Sequence, residues 1–232
     1  MEAERAARLG ILALDTRFPR IPGDVGNRAT WPFPVLYDVV PGATPHRVVT
    51  QGGDGLLDDF KQAAEVLIEK GADGIATTCG FLSLFQAELA NHINAPVATS
   101  SLMQAPFVQR LLPAGRRVGI LTVNSKALTR AHLEAAGVDP ETPVQGAEEG
   151  RELSRVLIGD EPTLNVDLAR QDMLDAGDAL LAAHDDIGAI VLECTNMGPY
   201  ARDLADHTGL PVFDVVSFLT WFHAGLAPRR FS

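Results

Sequence analysis

The sequence predicts an α/β fold of two pseudo-symmetric, duplicated Rossmann-like parallel-sheet domains, and three observations predict it. The chain repeats itself around its only two cysteines: Gly74-Ile75-Ala76-Thr77-Thr78-Cys79 is answered 115 positions later by Ala189-Ile190-Val191-Leu192-Glu193-Cys194. The match continues through Leu89-Ala90 and Leu204-Ala205, His92 and His207, and Pro96-Val97 and Pro211-Val212. A second pair, Arg8-Leu9-Gly10-Ile11-Leu12 and Arg117-Val118-Gly119-Ile120-Leu121, repeats at a spacing of 109. Finally, short apolar runs alternate with amphipathic stretches, the pattern of a parallel sheet with helices on both faces.

Leu9 to Leu14 is an apolar run of strand length. Residues 17–34 hold Pro19, Pro22, Pro32, Pro34, Gly23 and Gly26, and read as an extended loop. A loop that long is usually functional, often a lid. Trp31-Pro32-Phe33 within it is placed to close over a cleft or to bury against a second subunit. Val35 to Val40 is a second strand. Leu56, Leu57, Phe60, Ala63, Ala64, Leu67 and Ile68 recur at helical spacing up to Lys70, and Gly71 supplies the stop. Gly74 to Thr78 is a buried strand ending at Cys79. A helix over Leu82 to His92 precedes a strand opened by Pro96-Val97.

The second half reuses the plan. Gly119 to Val123 is a strand, Ala127 to Ala136 a helix stopped by Gly137, and Leu168 to Ala183 a long amphipathic helix. Ile187 to Leu192 is a strand leading to Cys194, followed by a helix over Tyr200 to His207 and a strand over Leu210 to Val215. The Pro- and Gly-bearing interval 140–166 reads as an insertion with a short helix near Arg151 to Ile158. The apolar stretch Phe218 to Leu226 is expected to pack back onto the first half. Two domains follow: residues 1–100 with 215–232, and residues 101–214.

Composition narrows the function. With 19 Lys plus Arg against 30 Asp plus Glu, the net charge of −11 disfavours nucleic acid and anionic membranes as partners. No apolar run reaches the roughly 18 residues that span a bilayer. Met1-Glu2-Ala3-Glu4-Arg5 puts charges directly before a short run ending at Asp15, a strand and not a signal peptide. A cytoplasmic location and two reduced thiols are the expectation.

Each cysteine falls at the carboxyl end of a predicted parallel strand, immediately before a helix, where open α/β sheets bind ligands. Free N–H groups at a helix start favour thiolate over thiol and can hold a substrate carboxylate. Cys79 and Cys194 are therefore the candidate catalytic residues, and Gly80, Phe81, Thr195 and Asn196 candidate substrate contacts. The N–H groups at 80–81 and 195–196 are the predicted donors to developing charge. Asp15-Thr16 and Asn124-Ser125 occupy matching strand ends of the two halves, where they could bind substrate or cap the next turn. His92 and His207 fit helix-end charge. Neither half needs a metal or an organic cofactor for this chemistry.

These residues together resemble the aspartate/glutamate racemase superfamily, which includes hydantoin racemases, maleate isomerases and arylmalonate decarboxylases. The resemblance runs over nearly the whole chain. It implies an active site in the cleft between two pseudo-symmetric domains, no cofactor, and a homodimer. It also implies a two-base mechanism in which one cysteine removes the Cα proton and the other returns one to the opposite face. Cys194-Thr195-Asn196 is similar to the family's second motif, and Asp15-Thr16 to its Asp-Ser pair. Gly80-Phe81-Leu82-Ser83 after Cys79 is nearer the hydantoin-racemase style than the Asn-Thr of amino-acid racemases. Asn196 stands where glutamate racemases place His.

The expected function is thus a cofactor-independent racemase or epimerase of a small amino acid, acid or cyclic derivative. One alternative is a maleate-type cis-trans isomerase with a cysteine nucleophile. Another is a bilobal small-molecule binding protein without turnover.

Overall fold

The computed structural model describes residues 6–228; the reading of Met1 to Arg5 lies outside them. Two four-stranded, wholly parallel sheets form. The first contains β1 (Leu9–Leu14), β2 (Val35–Val40), β3 (Gly74–Thr77) and β4 (Val97–Ala98), in the order β2-β1-β3-β4. The second contains β5 (Arg117–Thr122), β6 (Val144–Gly146), β7 (Ile187–Leu192) and β8 (Val212–Phe213), in the order β6-β5-β7-β8. The same order twice is the duplication read from the cysteine repeats. Leu9 aligns with Val35 and Gly74, and Val118 with Ala189, so both central strands carry partners on each side. Such strands are buried on both faces, which explains the continuous apolar runs LGILAL and RVGILT.

Helices cover the sheets. α1 (Leu57–Glu69) buries Phe60, Ala63, Ala64 and Leu67, carries Asp58 and Asp59 in its first turn, and ends before Gly71. The expected helix over 82–92 splits into a 3-10 turn, Gly80–Phe85, and α2 (Gln86–His92). α3 (Ala105–Leu111), starting beside Pro106, was not anticipated. α4 (Arg130–Ala135) is shorter than expected because Thr129 caps it. α5 (Leu153–Gly159) is the short helix of the insertion, and α6 (Val166–Ala183) starts where Asn165 accepts from the Asp167 and Leu168 N–H groups. α7 (Ala201–Thr208) stops at Gly209.

Two expectations are corrected. Strand β6 lies within the interval taken as an insertion. The strand expected over 210–215 is only Val212–Phe213, because Asp214 accepts from the Ser217 N–H at 2.7 Å and starts α8 (Val215–Leu226). α8 packs on the first sheet, with Phe218 and Leu219 joining Leu9, Ile11, Ala76 and Ala98 in one core cluster. Trp31 is buried there too, its Nε1 donating to Val25 O at 3.1 Å, and Phe33 stacks on His223 at 3.7 Å. That tripeptide therefore packs within its own chain and not over the cleft.

His92 meets Glu65 and His207 meets Asp178, each at 2.8 Å, on the neighbouring helix of its own half. The repeated histidines are thus repeated surface contacts. No helix among the described residues is long and apolar enough to cross a membrane.

Candidate active site

The carboxyl ends of β3 and β7 face each other across the boundary between the two sheets. They are tied directly: Thr195 Oγ1 donates to Thr78 O at 2.6 Å. Each strand delivers its cysteine to one pocket, lined from the first half by Leu14, Phe18, Cys79, Gly80 and Phe81. The second half contributes Leu157, Ile158, Glu193, Cys194 and Asn196. The pocket's free volume is about 20 Å³, room for about one water molecule. Both thiols are free and only 8% exposed.

The two thiols have different surroundings. Cys79 is the N-cap residue of the 3-10 turn at Gly80–Phe85; its side chain makes no capping hydrogen bond, but the Phe81 and Leu82 N–H groups beside its sulfur favour the thiolate. Cys194 is followed by an irregular turn before a 3-10 turn at Gly198–Tyr200, so no helix starts directly on it. Its Sγ instead donates to Asn196 Oδ1 at 3.5 Å. Asn196 is fixed in turn, since its Nδ2 donates to Asp24 Oδ2 at 2.5 Å, and Asp24 is held by Arg20 at 2.9 Å.

Asp24 lies in the Pro- and Gly-rich loop, which here reaches across to brace the second cysteine. Gly23 and Gly198 let the two backbones touch. A Cβ on Gly198 would sit 2.4 Å from Gly23 O, and one on Gly23 (φ +97°) 2.8 Å from Pro199 Cα.

Helix-start N–H groups were expected to depress the thiols. The opposite holds. Burial, followed by the charge of Glu193, pushes Cys79 up to about 12. The same two causes push Cys194 well above the ordinary thiol range. Desolvation of the anion outweighs a few N–H donors in a pocket this small.

Glu193 was quoted in the repeat but not singled out. It is wholly buried, accepts from Thr122 Oγ1 at 2.7 Å through Oε2, and leaves Oε1 with no hydrogen-bond partner. Burial pushes its carboxyl up to about 7. Its Oε1 lies against Gly80, where a Cβ would come within 2.1 Å. The signal was present in the repeat. Position 193 answers Thr78, whose hydroxyl accepts from Leu14 N at 2.9 Å, so a carboxylate replaces a structural hydroxyl at one of two matching strand ends.

The sequence-derived candidates divide cleanly. Cys79, Cys194, Gly80, Phe81 and Asn196 line the pocket, and Thr195 bridges the two strand ends beside it. Asp15, Thr16, Asn124 and Ser125 do not line it. Asp15 Oδ2 accepts from Gly42 N at 3.2 Å, and Thr16 Oγ1 from Arg20. Asn124 Oδ1 accepts from Lys126 N and Ala127 N at 3.1 and 3.2 Å, and Ser125 Oγ donates to Glu148. Asn124 thus caps the following turn, the alternative its residue type allowed, while Asp15, Thr16 and Ser125 make structural contacts to a loop amide, an arginine and a glutamate. Asp24, Arg20 and Glu193 were missed as site residues.

A family model described as Asp/Glu/hydantoin racemase matches residues 101–222, just over half of the chain. A dimethylsulfoniopropionate lyase of Durusdinium sp. clade D is 32% identical over 229 residues, covering 94% of this chain and 75% of that protein. Dimethylsulfoniopropionate lyase 6 of Emiliania huxleyi (strain CCMP1516) is 33% identical over 223 residues and 90% of this chain, which spans 57% of that relative's length. Among solved structures, allantoin racemase from Klebsiella pneumoniae superposes with a TM-score of 0.66 at 17% identity, over 95% of this chain and 87% of that one. At that identity the likeness is one of fold.

Proposed function

This chain belongs to the Asp/Glu/hydantoin racemase family, and we propose that within that family it is a lyase acting on dimethylsulfoniopropionate or a close onium analogue. The observation that carries the reading is the inequality of the two thiols. Cys79 has the N–H groups of Phe81 and Leu82 beside it, which favour a thiolate, whereas Cys194 has that of Asn196 and also donates a hydrogen bond to the Asn196 side-chain oxygen, which favours a thiol. An elimination needs one base. A racemase needs two groups that exchange roles in the two directions. The relatives named as lyases support the same choice.

In this reading the Cys79 thiolate takes a proton from the carbon next to the substrate carboxylate. The electron pair left behind forms the C=C bond, and the bond from the β-carbon to sulfur breaks. Its electrons stay on sulfur, so neutral dimethyl sulfide departs and acrylate remains. Cys79 keeps the proton as the products leave and loses it to solvent when the next cationic substrate binds, which closes the cycle. No oxidant or reductant enters. A cationic substrate also assists ionisation, since a positive charge in the pocket offsets Glu193 and lowers both thiols. Donors around Cys79 and Asn196 stabilise the charge that spreads onto the carboxylate.

The second reading is a two-thiol racemase, favoured by the presence of both sulfurs in one pocket. Headspace gas chromatography with dimethylsulfoniopropionate separates the two. The expected result is dimethyl sulfide from wild type, none from Cys79→Ala, and at least a tenth of wild-type turnover from Cys194→Ser. No sulfide, together with Cα–H exchange into deuterated buffer on an amino acid or hydantoin that needs both cysteines, would replace the lyase by the racemase.

A further inference from the structure

We propose that Glu193 is a cation-recognition subsite, which makes this pocket select a zwitterionic onium acid over neutral or dianionic acids of the same size. Three geometric facts carry this. Glu193 lines the thiol pocket and is fully buried. One of its oxygens is engaged by Thr122, and the other has no partner at all. Beside Thr78, Asn196 and the two thiols, most of the remaining lining is apolar or aromatic, including Leu14, Phe18, Phe81, Leu157 and Ile158. A buried carboxylate oxygen without a donor is costly unless a ligand supplies the missing positive charge. A methylated sulfonium or ammonium has no N–H to give, and it suits an anion set among apolar walls and ring faces. A second carboxylate on the substrate would meet Glu193 and be repelled. The family's dicarboxylic amino acids are therefore poor fits for this chain.

The inference shares with the lyase reading the assignment of the thiol pocket as the substrate site, but it does not require elimination. Other groups that face Glu193 are accounted for. The thiols of Cys79 and Cys194 are pushed up by burial and stay neutral near pH 7. Asp24 is ion-paired to Arg20. His132, edge-on to Phe81 at 5.2 Å, is pushed down by burial and stays neutral as well.

The test uses two probes that differ by one atom and cannot release dimethyl sulfide: 3-(trimethylammonio)propionate and its uncharged-tail isostere 4,4-dimethylpentanoate. Calorimetric titration of the full chain at pH 8 is expected to give at least about tenfold tighter binding of the ammonio acid, the scale of a charge-assisted contact. In Glu193→Gln the ratio is expected to fall towards one. Should that variant fail to fold, the wild type alone still decides. The ratio is expected to shrink severalfold between pH 8 and pH 6, as Glu193 takes up its proton. Equal affinities in wild type, no binding of either probe, or a ratio that Glu193→Gln and acidification both leave intact would overturn the proposal. A protein that keeps the preference yet releases no dimethyl sulfide from dimethylsulfoniopropionate would lose the lyase reading and keep this one.

Discussion

At Glu193, burial and charge oppose each other, and the conflict has a thermodynamic signature. The folded carboxyl sits at about 7 against an ordinary 4.5. A group whose folded value is raised contributes stability that is complete below about pH 4.5 and is lost as pH rises through 7. At about 1.4 kcal/mol per unit, the full loss is about 3 kcal/mol. Glu193→Gln removes the ionisation and keeps the shape. Urea unfolding should therefore give equal stabilities near pH 4.5 and a variant more stable by up to about 3 kcal/mol above pH 7. A difference that stays flat from pH 4.5 to 8 would show that Glu193 is not the titrating group. The same residue marks the limit of the sequence at this scale. Cys79 and Cys194 were legible because the repeat displays them twice, whereas Glu193 stands opposite Thr78 and is visible only as a break in the match. Asp15, Thr16, Asn124 and Ser125 were equally legible as a repeated pair, but repetition preserves structural contacts as readily as sites: Asn124 caps a turn, and the other three meet Gly42 N, Arg20 and Glu148 outside the pocket lining.

At the scale of elements, the site is assembled by two segments that carry no repeat. The loop over 17–34 and helix α5 are held together at Asp160, which ends α5 in the left-handed conformation (φ 51°). Its carboxylate accepts from Arg17 N at 2.6 Å, Phe18 N at 3.3 Å and Arg17 Nε at 3.1 Å. Phe18 on one side of this clasp, and Leu157 and Ile158 on the other, form the apolar wall of the thiol pocket. Arg17 is largely exposed, so the ion pair itself contributes little. The two backbone N–H bonds carry most of the clasp. Asp160→Gly keeps the left-handed backbone at no steric cost while deleting the acceptor. Hydrogen exchange at the Arg17 and Phe18 amides should speed up by about tenfold, with a global loss of about 1 kcal/mol or less. Asp160→Ala should lose about 1 kcal/mol more, because Ala resists a positive φ. Exchange unchanged in Asp160→Gly would mean that the clasp does not hold the loop. Pattern reading found this loop and this helix separately, from Pro and Gly content and from apolar spacing. It could not place them together, since Arg17 and Asp160 are 143 residues apart and no periodicity links them.

For the whole molecule, the decisive quantity is how tightly the two halves close on each other. Thr195 Oγ1 on Thr78 O, Val25 N on Thr195 O and Asn196 Nδ2 on Asp24 Oδ2 all cross between them at the pocket. The free space of about 20 Å³ in the pocket admits about one water molecule. If the clasp or the cleft must open to admit substrate, access to both sulfurs is one conformational step shared by two residues in different sheets. That step is measurable without any substrate. With rising iodoacetamide, alkylation of Cys79 and Cys194, followed separately by peptide mass spectrometry, should saturate. Both thiols should reach the same limiting rate, because opening and not chemistry becomes limiting. Asp160→Gly should raise that common limit severalfold, as the clasp is part of what opens. If the two labelling rates instead stay first order in reagent and differ from each other, each thiol is reached by its own local fluctuation. The shared closure of the two halves would then not be what guards the site.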